Sequence, residues 1–113
     1  MSKRKFTPGP LKKTESGIRS PAGYICFFNK THHFHGQDER YEQEREEREA
    51  NMDLFAAAPE LYYAISGCMD MLTEAAKQFR QRGDTGHATL CLMHAGKANA
   101  ALAKARGEKT DEQ

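Results

Sequence analysis

The sequence predicts an α+β fold: a short N-terminal β-hairpin, then an acidic helix, then an antiparallel αα-hairpin. Three observations carry this. "GIRSPAGYICFFN" places β-forming residues on either side of a turn. "DERYEQEREEREANMDLF" is helix-forming and laced with opposite charges three and four residues apart. Residues 59–82 and 85–106 carry apolar or small residues at alternating spacings of four and three, each stretch closed by glycine.

Residues 1–16 hold Pro8, Gly9 and Pro10 among basic and polar residues, and read as a tail and irregular arm in which Phe6 and Leu11 dock. A single α+β domain is expected over 17–106, starting with the hairpin at 17–29. Its turn is Ser20-Pro21-Ala22-Gly23, where proline presets φ and glycine tolerates a positive φ on exit. In "YICFF", strict alternation puts Tyr24, Cys26 and Phe28 on one face and Ile25 and Phe27 on the other. Both faces are apolar, so both are expected to be covered.

The first helix is expected over 38–58, with Asp38 as its N-cap. In "REANMDLFAAAPELYYAISG" a proline falls inside an apparently continuous helical pattern. Pro59 lacks the N–H that a helix interior needs, but tolerates a first turn, so it separates two helices. The second helix, 59–82, has a seam at Leu61, Ile65, Cys68, Leu72, Ala75 and Phe79, widened by Tyr62, Met69 and Ala76. The third, 85–106, has Ala88, Cys91, Ala95, Ala98, Leu102 and Ala105, and Asp84 or Thr85 caps it. The connection is too short for anything but an antiparallel pair. Residues 107–113 read as a frayed tail.

Charge is segregated although the net charge is +1. Residues 1–20 carry six bases and one acid, 38–53 three bases and eight acids, and 77–106 six bases and one acid. Thin aromatic interleaving and a near-neutral total give no nucleic-acid footprint, so direct nucleic-acid binding is not expected. No membrane span or secretory signal is expected, because no stretch nears the roughly 20 apolar residues needed. Three widely spaced cysteines, Cys26, Cys68 and Cys91, indicate reduced thiols rather than a disulfide framework.

The loop "THHFHGQD" concentrates His32, His33 and His35 beside Asp38. His87, Cys91 and His94 fall at i, i+4 and i+7 on the third helix. Neither spacing matches a structural zinc pattern, and no group is placed to orient a catalytic base. No metal, cofactor or catalytic constellation is therefore assigned, and the chain is not expected to be an enzyme. The exposed, chemically dense stretch comprises His33, His35, Asp38, Tyr41, Arg45 and Arg48, and is the expected partner-binding surface. An alternative ligand-binding site is Arg80, Arg82, His87 and His94 near the hairpin tip, or Tyr62 and Tyr63 at the corner, since arginine, histidine and tyrosine hold phosphates and stack bases.

"FTPGP" near the start, "EANMDLFAAAPEL" in the middle and "ANAALAKARGE" near the end resemble a family of small phage and prophage proteins. Those proteins pair an N-terminal FTPGPW with a segment close to EANARLIAAAPELLEAL. Here Leu11 stands where that family carries Trp, and Tyr62 and Tyr63 replace a leucine and a polar residue. The resemblance implies phage origin and action in the host cytoplasm. It also implies binding and inhibition of a host defence factor such as a CRISPR or other nucleic-acid-targeting complex. The alternative set of residues implies an oligomeric sponge for a nucleotide immune signal. Apolar surface in the strand and third helix predicts a homo-oligomer, joined through hairpin faces or strand edges.

Overall fold

A computed structural model describes residues 6–108. Three strands precede three helices: β1 (Lys12–Lys13), β2 (Gly17–Ser20), β3 (Gly23–Phe27), α1 (Asp38–Ala56), α2 (Ala58–Gln81) and α3 (Thr85–Ala105). The architecture is α+β, as the sequence indicates. The chain clusters into two compact units. One is Thr7–Glu60; the other comprises Phe6 and residues 61–108 of those described. The division falls inside α2.

In the Thr7–Glu60 unit the sheet is antiparallel with order β1-β2-β3. The expected hairpin thus gains a strand from the arm, as Lys12 and Lys13 pair with Arg19 and Ile18. Thr14 makes this possible. Its hydroxyl accepts from the Ser16 and Gly17 N–H groups, while its own N–H donates to the Gly17 carbonyl at 2.9 Å. Gly17 itself must be glycine, because a Cβ there would lie 2.1 Å from the Cys26 carbonyl oxygen. At the β2–β3 turn the Ser20 hydroxyl accepts from Ala22 N–H and donates to the Gly23 carbonyl, and Gly23 has φ 135°.

β3 departs from strict alternation. Ile18 pairs with Cys26 but Arg19 pairs with Tyr24, so Ile25 is an extra residue forming a β-bulge. The bulge brings Tyr24 to the side of Phe27, with the rings stacked at 4.6 Å. Tyr24 is 46% and Phe27 69% exposed, so among the described residues the expected cover over both faces is not present. The two sheet edges also differ. β1 is short and built of lysines, a device that discourages further pairing, whereas β3 carries no charge.

α1 packs on β1 and β2, and Ile18 and Met52 are fully buried at the centre of the unit. Each such side chain contributes roughly 1.5–3 kcal/mol. Arg48 reaches from α1 to three main-chain carbonyls: Asn29 at 2.7 Å, Glu15 at 2.9 Å and Phe28 at 3.2 Å. Its side chain is only 14% exposed. From the other direction Lys13 on β1 pairs with Glu49 at 3.0 Å and Asp53 at 2.8 Å, one helical turn apart. Those carboxylates raise its pKa, the hydrogen bond to Asp53 most.

The start of α1 differs from expectation. Gln37 occupies the N-cap position without a side-chain capping bond, its amide oxygen accepting from Arg40 instead, and Asp38 is the first helical residue. Asp38 turns to His33 instead, with 2.5 Å between Oδ1 and Nε2. The helix break lies one residue earlier than the proline alone suggests: Ala57 ends α1, and Pro59 is the buried second residue of α2. Gly9 approaches closely there, since a Cβ on it would stand 3.3 Å from Glu60 Oε1 and 3.5 Å from Pro59 Cβ.

In the other unit, α2 from Leu61 onward and α3 form the helical hairpin, fastened at both ends. Arg106 donates to the Tyr62 hydroxyl at 3.0 Å, and Phe79 stacks on His87 with centroids 5.2 Å apart. Phe6 packs edge-on against Tyr62 at 4.8 Å. Both helices end in a Schellman motif on a glycine with positive φ. Gly83 (φ 81°) is followed by Asp84 N–H donating to Phe79, and Gly107 (φ 79°) by Glu108 N–H donating to Ala103. Asp84 then caps α3 by accepting from His87 N–H at 3.0 Å.

The α3 seam follows the predicted spacing at Ala88, Cys91, Ala95, Ala98 and Leu102; only Ala105, in the last turn, is exposed. The α2 seam is shifted. Tyr62, Ile65, Met69, Leu72, Ala76 and Phe79 form a covered row at alternating spacings of three and four, with Ser66 and Ala75 half-buried beside it, whereas Leu61 and Cys68 are exposed. Ile65, Leu72 and Phe79 keep their predicted place, and the residues that sequence spacing treats as widening the seam, Tyr62, Met69 and Ala76, complete it.

Two outcomes follow from these contacts. Arg48→Ala leaves three carbonyls without their shared cation and lowers the stability of the Thr7–Glu60 unit by about 2–4 kcal/mol in urea unfolding. Arg48→Lys recovers only part, because one ammonium cannot span all three acceptors. Asp84 supplies the second. The His87 backbone N–H, then its side chain, holds the Asp84 carboxyl below its usual value of 3.8. A carboxyl depressed by folding stabilises above the unfolded-state pKa, and that contribution disappears as pH falls through the lower folded value. Asp84→Ala therefore lowers the melting temperature at neutral pH, and the gap from wild type closes in acid below the usual carboxylate range.

Candidate functional site

The loop after β3 and the first half of α1 enclose two open clefts that meet at Arg48. One, of about 480 Å³, is lined by Glu15, Lys30, Thr31, Tyr41, Arg45, Arg48 and Glu49. The other, of about 400 Å³, shares Lys30, Thr31 and Arg48 and adds Glu44, Glu47 and Asn51 from the helix. Helical spacing explains the first cleft: Tyr41, Arg45 and Arg48 stand four and three residues apart, hence on one side of α1. Arg48, fixed to the loop carbonyls, holds residues 28–31 against that side.

Of the six expected partner-binding residues, three line this cleft and two more adjoin it. His33 meets the Tyr41 ring edge-on at 4.9 Å, and Asp38 pairs with the His33 Nε2. His35 is exposed next to Gly36, whose φ is 79°. Arg45 is half-exposed and bonded to Glu42 at 2.7 Å, which raises its pKa further. Arg48 differs from its neighbours. Its guanidinium is already occupied by the protein's own main chain, so it forms a wall of the cleft and not an open contact.

Sequence spacing does not point to Glu15, Lys30 and Thr31, which enter from the turn between β1 and β2 and from the loop. Long-range contacts of α1, the Arg48 bonds to the Glu15, Phe28 and Asn29 carbonyls and the Lys13 ion pairs, bring those segments there, and no local pattern encodes them. The cleft carries both signs of charge, three cations and two carboxylates, with a phenol between them. Such a surface suits a polar protein surface with its own mixed charges.

The two placements of the alternative ligand site lie at opposite ends of α2. Tyr62 and Tyr63 lie near the start of α2, beside Phe6, and Tyr62 is engaged by Arg106. Arg80 is eighteen residues further along the helix, or about 27 Å at 1.5 Å per residue. Arg80 and Arg82 are exposed near the hairpin turn; His87 is held by Phe79 and Asp84, and His94 lies exposed two turns on. Among the described residues no three His, Cys, Asp or Glu side chains gather to hold a metal ion. Among them, too, no helix is long and apolar enough to cross a membrane.

A small α+β chain with a lysine-edged sheet, an acidic helix and a helical hairpin defines the architecture. Its family is a phage one. Residues 1–109 match the family of Salmonella phage P22 protein Y8K6, and the chain belongs to that family. No curated protein and no solved structure matches it.

Proposed function

We propose that this phage protein is a non-catalytic binding protein that acts in the host cytoplasm by occupying and inhibiting a host defence factor. A CRISPR complex or another nucleic-acid-targeting assembly is the kind of target meant. The contact surface is the cleft face of α1 with the loop beside it. The observation that carries this reading is the convergence of Tyr41, Arg45 and the His33–Asp38 pair on one exposed, two-signed surface of the Thr7–Glu60 unit. An aromatic and an arginine set side by side are the residue types that dominate binding energy at protein interfaces. Membership of a phage family supports a target inside the infected cell. The reading as a nucleotide sponge, with its site at the hairpin tip or at the corner, has less support, because His87 is already held by Asp84 and Tyr62 by Arg106.

Capture from a bacterial lysate at physiological salt tests the proposal. The tagged protein retains a host protein or complex, and Tyr41→Ala with Arg45→Glu abolishes retention while the far-ultraviolet dichroism and melting temperature stay as in wild type. Capture of nothing specific by wild type overturns the proposal. Undiminished capture by the double variant moves the contact elsewhere. A melting temperature raised by cyclic dinucleotides or ADP-ribose derivatives would favour the sponge.

A further inference from the structure

α2 carries two apolar rows, of which the hairpin uses one. The residue before each seam position gives Leu61, Ala64, Cys68, Met71, Ala75 and Gln78, a row displaced by about 100° around the helix. It runs for about 26 Å at 1.5 Å per residue and contains no charge. Met71 is 72% and Leu61 43% exposed; Ala64, Cys68 and Gln78 are also exposed and Ala75 half-buried. In an antiparallel hairpin the residue preceding each seam position falls on the same side of both helices. The residues so placed on α3 are His87, Leu90, His94, Lys97 and Ala101, so the apolar face continues onto α3 at Leu90, 52% exposed, and Ala101, with His87, His94 and Lys97 beside them. A helix whose apolar residues extend beyond its own seam has a second surface to cover.

We propose that this row is a homodimer face on which α2 of one copy packs antiparallel against α2 of a second. The row is complementary to its own reversal. Turned about the midpoint between Met69 and Asp70, Ala64 faces Ala75, Cys68 faces Met71 and Leu61 faces Gln78, each pair occurring twice as a two-fold axis requires. The small Cys68 is thus set opposite the long, flexible Met71, and the alanine pairs let the backbones approach. Because the row is uncharged, its reversal brings no like charges together, and the opposed helix dipoles favour the arrangement. Two hairpins joined in this way form a four-helix bundle. With α3 included, each copy covers on the order of 500 Å², so the pair buries roughly 1,000 Å², near the lower limit for a specific interface. The dimer is accordingly one that dissociates on dilution through the micromolar range.

Sedimentation velocity of the full chain across low to high micromolar concentrations, with a short bismaleimide directed at Cys68, provides the test. Wild type shows a dimer that dissociates on dilution and gives a covalent dimer with the reagent. Cys68→Ser removes the cross-link but not the dimer. Met71→Glu, at a position already open to solvent, weakens association at least about tenfold with unchanged helical dichroism. Phe27→Asp, in the other unit, leaves the dimer intact. A monomer at every concentration overturns the proposal, as does a dimer untouched by Met71→Glu or one that never cross-links through Cys68. A dimer lost in Phe27→Asp and kept in Met71→Glu assigns assembly to the β3 edge instead.

Discussion

One guanidinium organises the Thr7–Glu60 unit. Neither the turn at Glu15 nor the loop at Phe28 and Asn29 has ladder partners for the carbonyls it presents to α1. Arg48 supplies donors to all three from a single planar group. With it, the helix is tied to both ends of the segment that carries β2 and β3. Lys13 ties β1 to the next turns of the same helix. The burial of Ile18 and Met52 follows, since the sheet and helix that contribute them are held at fixed separation.

The same bond shapes the exposed chemistry. Arg48 draws the loop after β3 onto α1, and the groove between them becomes the cleft holding Tyr41 and Arg45. A rigid floor matters for recognition, because side chains set on a regular helix lose little freedom when a partner docks. A charged residue that reads as part of a binding surface thus serves that surface indirectly, by fixing the backbone on which the others stand.

The parts visible in the sequence are those encoded locally. The α3 seam is legible because small residues recur at Ala88, Cys91, Ala95 and Ala98, at alternating spacings of three and four. The capping glycines Gly83 and Gly107 mark helix ends through a backbone conformation that few other residues adopt. The α2 seam is not legible to the residue, because two adjacent apolar rows blur into one broad stripe and the predicted positions straddle both. β1 has no signal of its own: two lysines become a strand only because Arg19 and Ile18 lie opposite them. Of the candidate site, Tyr41, Arg45 and Arg48 were readable as one helical side, whereas Glu15, Lys30 and Thr31 depended on contacts across more than a dozen residues of chain. Helical charge patterns give no hint of which arginine is spent on the main chain.

The bulge at Ile25 has a bearing on how such a surface changes over generations. A side chain's side of a strand is set by counting residues, so one inserted codon can transfer Tyr24 from one side of β3 to the other without altering its chemistry. The stacked Tyr24–Phe27 pair is the product of such an offset. Length variation in this short strand is therefore a route to a different outer surface that leaves Ile18 and the rest of the core in place. In a lineage under pressure to change what it displays, the strand can vary its face by frame-preserving insertion or deletion where substitution alone would need several steps.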